Sequence, residues 1–187
     1  MRLVICDLDG TLVDSDRALA DAFVAMGVPR DEVTFGHVVA DECARLGIDP
    51  HEWSAAFDPT SIEPFPGVDE VVRGLGRWAV CSNRLRDSGE FDLRRFGWEP
   101  EVALFADAFD GAKSPRPILT ELGVDPSDAV FVGDTPHDRD CAREAGVAFA
   151  LAAWNPRSVA APGDIVLATP ADLLALGQSA SGSGSTT

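Results

Sequence analysis

The residues best suited to chemistry are acidic and stand directly after short apolar runs. Asp7-Leu8-Asp9-Gly10-Thr11 follows the run from Arg2 to Cys6, and Gly133-Asp134-Thr135-Pro136-His137-Asp138 follows Ala129 to Val132. Alternate side chains of an extended segment point the same way, so Asp7 and Asp9 can converge on one site. Neighbouring carboxylates repel each other unless a cation or a shared proton relieves them. No cluster of His or Cys is present to select zinc, so the all-oxygen donor set suits Mg²⁺. Plainer readings stand beside these. Asp7 to Thr11 is also an ordinary polar turn, and Asp134 with Thr135 would cap a helix that starts near Pro136. Cap and ligand are compatible, because Asp134 can hold a cation while Thr135 caps.

Two further groups occupy comparable places. Ser82-Asn83 follows the run Trp78 to Cys81 and offers a hydroxyl, an amide and nearby backbone N–H groups, which suit phosphate oxygens; a simple turn is the alternative. Arg84 comes next in the chain. Lys113, before Ser114-Pro115, is one of two basic residues between Arg95 and Arg139, the other being Arg116. Taken alone it reads as a solvated surface lysine.

The elements that must position these groups alternate. Apolar runs at Arg2–Cys6, Trp78–Cys81, Val102–Phe105, Ala129–Val132, Val147–Ala152 and Asp164–Leu167 read as strands buried on both faces. Helical spacing lies between them, as at Val68, Val71, Val72 and Leu75, or from Pro136 to Ala145 before Gly146. That alternation predicts an α/β fold, a doubly wound parallel sheet with helices on both faces. Acidic groups at the carboxyl ends of its strands lie where such sheets bind ligands.

Residues 15–63 break the rhythm. They contain two amphipathic faces, Leu19, Ala22, Phe23 and Met26, then Phe35, Val38, Val39 and Leu46, and no convincing strand. The expected division is a core of residues 1–14 and 64–177, a small helical insertion over 15–63, and a disordered Ser/Gly/Thr tail over 178–187.

With 31 Asp and Glu against 15 Lys and Arg, the 187-residue chain carries a formal charge of −16. This disfavours nucleic acid and anionic membranes as partners. An anionic substrate would then need a metal or a few placed cations. Cys6, Cys43, Cys81 and Cys141 form no C-x-x-C pair and read as buried thiols of a reducing compartment. The first apolar run is too short for a signal peptide or a membrane span, so a cytoplasmic location is expected.

These four groups, in this order and each after a strand, resemble the haloacid dehalogenase superfamily of hydrolases, most of them phosphatases. The resemblance implies a Rossmann-like core and a Mg²⁺-dependent phosphatase acting on a small-molecule phosphomonoester. By it, Asp7 is the nucleophile, Asp9 the general acid and base, and Ser82 and Lys113 bind the transferring phosphoryl group; Asn83, Arg84 and Thr11, beside these motifs, are further candidate substrate-binding residues. Asp7, Asp134 and the backbone carbonyl of Asp9 would hold Mg²⁺, with Asp138 supporting the metal site. Members that cleave carbon–halogen bonds lack an acid at the place of Asp9, so its presence favours phosphate chemistry. The insertion looks like the mobile cap of phosphoglycolate-phosphatase-like members.

The chain departs from that pattern in two ways. Lys113 is followed by Ser114-Pro115 in place of Lys-Pro, and the insertion is short, which implies a more open pocket. Arg17, His37, Arg45, His51 and Arg84 are candidate readers of the leaving group, each with a solvated surface role as its alternative. Two other functions remain open at this level: a phosphotransferase such as a sugar-phosphate mutase, and a catalytically silent binding protein of the same fold.

Overall fold

The computed structural model describes residues 1–178. A six-stranded parallel sheet has the order β5-β4-β1-β6-β7-β8. Its strands are β1 (Leu3–Cys6), β4 (Trp78–Cys81), β5 (Ala103–Leu104), β6 (Ala129–Gly133), β7 (Ala148–Ala152) and β8 (Ile165–Leu167). Helices α4 (Val68–Gly74), α5 (Arg86–Phe96), α6 (Arg116–Leu122), α7 (Pro136–Ala145) and α8 (Asp172–Gln178) connect and flank them. The chain moves outward from β1 to β4 and β5, then crosses back to β6 on the other side of β1. That reversal makes the carboxyl end of β1 the switch point where a doubly wound sheet opens a crevice.

Alternation along β1 explains why it is central. Val4 and Cys6 pack into one apolar cluster with Val80, Val130 and Val132, while Leu3 and Ile5 pack into the opposite one with Ala79, Cys81 and Phe131. All four β1 residues are fully buried. Burying both faces removes about 25 cal/mol of unfavourable hydration per Å² of apolar surface, so a polar substitution within β1 would disrupt two cores together. The four cysteines are buried and unpaired, as their apolar settings imply.

The insertion lies between β1 and α4. Its entry and exit pair as a two-residue antiparallel ribbon, β2 (Val13–Asp14) with β3 (Glu63–Pro64). Between these strands lie α1 (Asp16–Ala25), α2 (Val39–Leu46) and α3 (Pro50–Ala56). Sequence periodicity suggested two helices, and the structure has three. The third is only seven residues long, too short to show a period, although Asp49 caps it and Pro50 opens it. The second expected face also divides, because Gly36 takes a positive φ of 93° and leaves Phe35 and Val38 ahead of α2. Phe23, Val33, Cys43 and Trp53 give the insertion its own small core.

Glu42 fixes the loop before α2. It is 2% exposed and accepts bonds from Thr34 N (2.6 Å), Thr34 Oγ1 (3.0 Å), Arg45 Nε (2.7 Å) and Arg45 Nη2 (2.7 Å), with His37 Nε2 at 3.0 Å. Burial pushes its carboxyl up, but the Arg45, Thr34 and His37 bonds outweigh it and hold the group at about 2. A folded-state value below the unfolded one stabilises the ionised form, so this contribution is present above the ordinary carboxylate range and fades as pH falls towards 2. Glu42→Gln should therefore be less stable than the wild type at pH 7, by ~1–2 kcal/mol. The gap should narrow between pH 5 and pH 3 in urea unfolding; a gap that stays constant would contradict this assignment.

The expected tail lies outside the described residues, except that Gln178 closes α8. Among the described residues no helix is long and apolar enough to cross a membrane.

Candidate functional site

Asp7 follows β1 directly, and its N–H donates to the Val132 carbonyl on β6 at 2.9 Å. Its carboxylate therefore leaves the sheet beside the end of β6, where Asp134 follows Gly133. The carboxylate oxygens of Asp7, Asp134 and Asp138 lie within 4.8 Å of one another, all buried. Lys113, 6% exposed, places Nζ 3.1 Å from Asp7 and 2.6 Å from Asp138.

The three acids differ in how their charge is balanced. Asp138 Oδ2 accepts bonds from Asp134 N (3.2 Å), Thr135 N (3.0 Å) and Thr135 Oγ1 (2.6 Å), while Oδ1 meets Lys113. Burial pushes Asp138 up, yet Lys113 and Thr135 outweigh it and hold the group low. This is a capping box at the start of α7, which makes the cap expected of Thr135 and fixes the loop that carries Asp134. Asp7 behaves oppositely. Burial pushes it to about 7, because Lys113 only partly offsets the desolvation and Asp138 and Asp9 add repulsion. Burial likewise pushes Asp134 to about 8 against the pull of Arg157. Lys113 is held well above its usual range, as Asp138 and Asp7 outweigh the burial that would lower it.

Asp7, Asp138, Asp134 and Asp16 thus set four carboxylates against the two positive charges of Lys113 and Arg157. A divalent cation relieves that excess, and the donors are all oxygen, so the residues fit one.

Most sequence-predicted residues converge here, in differing ways. Ser82 is buried after β4, and its hydroxyl helps to hold the Asp7 carboxyl down against burial. Asp9 stands outside the three-acid group: its carboxylate takes Arg84 Nη1 at 2.9 Å. Arg84 is 8% exposed and also meets the fully buried Asp92 at 3.0 Å. Thr11 donates to Asp134 Oδ1 at 3.1 Å and does not line the adjoining cavity, so it orients an acid where a substrate contact was expected. Asn83 Nδ2 donates to the Gly36 carbonyl of the insertion at 3.1 Å, a bridge between core and insertion. Arg17 is 88% exposed beside Asp21, Arg45 serves Glu42, and His51 lies outside the cavity wall; His37 and Arg84 line it.

Sequence reasoning missed Arg157 and Asn155. Arg157 pairs with Asp16 and reaches Asp134 Oδ2 at 2.8 Å, with its guanidinium 4.6 Å from the Phe35 ring centre. Asn155 Nδ2 donates to Gly10 O (2.9 Å) and Asp134 Oδ2 (3.1 Å). Both follow β7, and the rule that strand carboxyl ends build the site would have flagged Trp154 to Arg157. The same crowding requires glycine at position 10. Its φ is +73°, and a Cβ there would stand 2.5 Å from Arg157 Nη2 and 2.6 Å from Asp134 Oδ2.

Gly36 closes the insertion over the core in a similar way. A Cβ on it would lie 2.9 Å from Thr135 Cγ2, at a backbone angle that side chains rarely adopt. The neighbouring His37 ring sits 5.9 Å from His137. Gly36→Val should unseat this loop and lower kcat/KM by at least roughly tenfold, with little change in circular dichroism. Equal kcat/KM for the two proteins would show that the contact is incidental.

Taken together, the parallel sheet and an acidic cluster with a buried lysine at its switch point define an α/β enzyme site for an anionic group held beside a cation. Comparison with known proteins narrows this. The family model described as haloacid dehalogenase-like hydrolase matches residues 50–152. A phosphoglycolate phosphatase of Xylella fastidiosa strain 9a5c is 30% identical over 189 residues, covering 84% of this chain and 82% of the relative. The pyrophosphatase PpaX of Bacillus velezensis is 26% identical over 187 residues, covering 81% and 83%. Among solved structures, CbbY from Rhodobacter sphaeroides in complex with phosphate has a TM-score of 0.71 at 23% identity, covering 92% of this chain and 96% of that one. A subfamily IA hydrolase of the same superfamily from Geobacter sulfurreducens has a TM-score of 0.68 at 23% identity, covering 94% and 96%. The chain belongs to the haloacid dehalogenase-like hydrolases.

Proposed function

We propose that this chain, a phosphatase of that family, hydrolyses a small-molecule phosphomonoester with Mg²⁺ through an aspartyl-phosphate on Asp7. The observation that carries the reading is the buried group of Asp7, Asp134, Asp138 and Lys113 at the switch point of the sheet.

Asp7 attacks phosphorus: a bond forms between its carboxylate oxygen and phosphorus, the ester P–O bond breaks, and the leaving oxygen takes a proton from Asp9. Water then attacks the acyl phosphate, Asp9 accepts its proton, and inorganic phosphate leaves Asp7 free. Asp9 reaches both steps from the edge of the pocket once it exchanges its Arg84 contact for the leaving oxygen or the water. Ser82 and Lys113 hold the equatorial oxygens of the phosphoryl group. The carboxylates of Asp7 and Asp134 would hold Mg²⁺; bound there, it neutralises charge on the transferring group. Asp138 acts from behind, since its oxygens are committed to Lys113 and the α7 cap. Thr11 and Asn155 orient Asp134.

Residues 15–63 act as a cap, hinged at the β2–β3 ribbon and seated through Gly36, Asn83 and Thr135. Four buried free cysteines support a reducing, cytoplasmic setting, and the acidic charge supports neither nucleic acid nor membrane as partner.

Phosphate release from a broad panel of phosphomonoesters, with and without Mg²⁺, tests the reading. Mg²⁺-dependent release from at least one ester is the predicted outcome. Isomerised sugar phosphate with little free phosphate would point to a phosphotransferase, and neither turnover nor Mg²⁺ binding would point to a silent binding protein.

A further inference from the structure

Between the insertion and the core lies a cavity of about 640 Å³ that opens onto Asp7 and Asp9. At ~30 Å³ per water molecule it has room for roughly twenty. A two-carbon leaving group would leave most of that space wet. Phe35, Phe57 and Phe91, with the almost wholly buried Phe23 and Trp53, give the wall its aromatic rings, and most of its exposed area is apolar. Phe23, Trp53 and Phe57 form a continuous aromatic run, with ring centres 5.5 and 4.8 Å apart.

The charged groups of the wall are arranged against an anion. Six carboxylates line the cavity, but only three guanidiniums and one imidazole. Each of these four bases already faces an acid. Arg84 meets Asp9 at 2.9 Å and Asp92 at 3.0 Å, and Arg86 meets Asp107 at 2.7 Å. Arg157 meets Asp16 and Asp134, and His37 meets Glu42 at 3.0 Å. A carboxylate or second phosphate on the leaving group would therefore lose its water without gaining an uncommitted cationic partner, and would face the surplus acids. A pocket that leaves an anion unpaired rejects it far more sharply than it rejects a missing methylene.

We infer that the substrate's leaving group is an uncharged alcohol or phenol carrying an aromatic ring or a sizeable apolar chain, in contrast to glycolate or phosphate. Aromatic walls that have no net use for charge gain most from burying such a group. The inference rests on the phosphatase reading, whose catalytic groups form one end of the cavity.

The test compares kcat/KM for 1-naphthyl phosphate and octyl phosphate with that for phosphoglycolate and pyrophosphate, all with Mg²⁺. In parallel, calorimetry measures binding of 1-naphthyl phosphate and phosphoglycolate to the Asp7→Asn protein, where no turnover intervenes. The two apolar esters should exceed both anionic substrates by at least tenfold, and naphthyl phosphate should bind the variant at least tenfold more tightly. Preference for phosphoglycolate or pyrophosphate overturns the inference and leaves the phosphatase reading intact. If no ester is hydrolysed, the phosphatase reading falls, and binding alone decides: a tenfold preference for the naphthyl ester keeps the inference about the pocket, and equal or weaker binding overturns it.

Discussion

Asp7→Asn should lower kcat for phosphate release by roughly 10⁴-fold or more, the scale on which loss of a nucleophile acts when the rest of a site survives. The substitution is nearly isosteric, and the bonds that place residue 7 are kept. Its N–H still donates to Val132 O, and a side-chain oxygen can still accept from Leu8 N, now at 2.7 Å. What is lost is the carboxylate that forms the covalent bond. Stability should change far less than activity, since the amide removes a negative charge that burial and two neighbouring acids already oppose. Steady-state phosphate release and a thermal melt on the same preparation check both halves; an active variant would remove Asp7 from the mechanism.

Lys113→Ala should damage both fold and function. Its ammonium is the cation shared by Asp7 and Asp138, at 3.1 and 2.6 Å, and all three groups are almost wholly buried. Removing one member of a buried ionic group leaves uncompensated charge at a cost of about 3–5 kcal/mol. For a chain of this size that corresponds to a melting point lower by roughly 6–20 °C. Activity should fall by ~10³-fold, because the phosphoryl oxygens lose a fixed positive charge. Lys113→Arg should restore little of either, since a planar fork does not fit a site built for a compact ammonium. Differential scanning fluorimetry and initial rates separate the two effects. A variant that melts like the wild type would show that the pairing with Asp138 contributes little.

How far the sequence foretold this molecule depended on the range of the interactions involved. The strands that bury both faces were legible because their apolar runs are continuous, and Trp78–Cys81 and Pro136–Ala145 coincide with the expected bounds. Short elements were less so. The helix Pro50–Ala56 is held by Trp53 packing on Phe23 and by the Asp49 cap, neither of which leaves a period in the sequence. Asp7 and Asp134 stand out because each closely follows an apolar run, whereas Lys113 follows none directly and is singled out only by the family resemblance. Asn155 and Arg157 also follow a strand, so position alone would have marked them, but their contacts with Asp134, like that of Asp92 with Arg84, join residues brought together only by tertiary folding. Asn83 and Thr11 carry the same lesson. Position at a strand end brought them to the site, while the neighbour that each one bonds emerged only in three dimensions.

The central claim is that Asp7 carries the phosphoryl group during turnover. A hydrolysed ester would be mixed with enzyme and Mg²⁺, quenched in acid within the first turnovers, and the digested protein mapped by mass spectrometry. One phosphoryl group on the peptide containing Asp7, sensitive to hydroxylamine and absent from Asp7→Asn, is the predicted result. Sustained phosphate release with no label on that peptide at any quench time, or with the label on another residue, would contradict it.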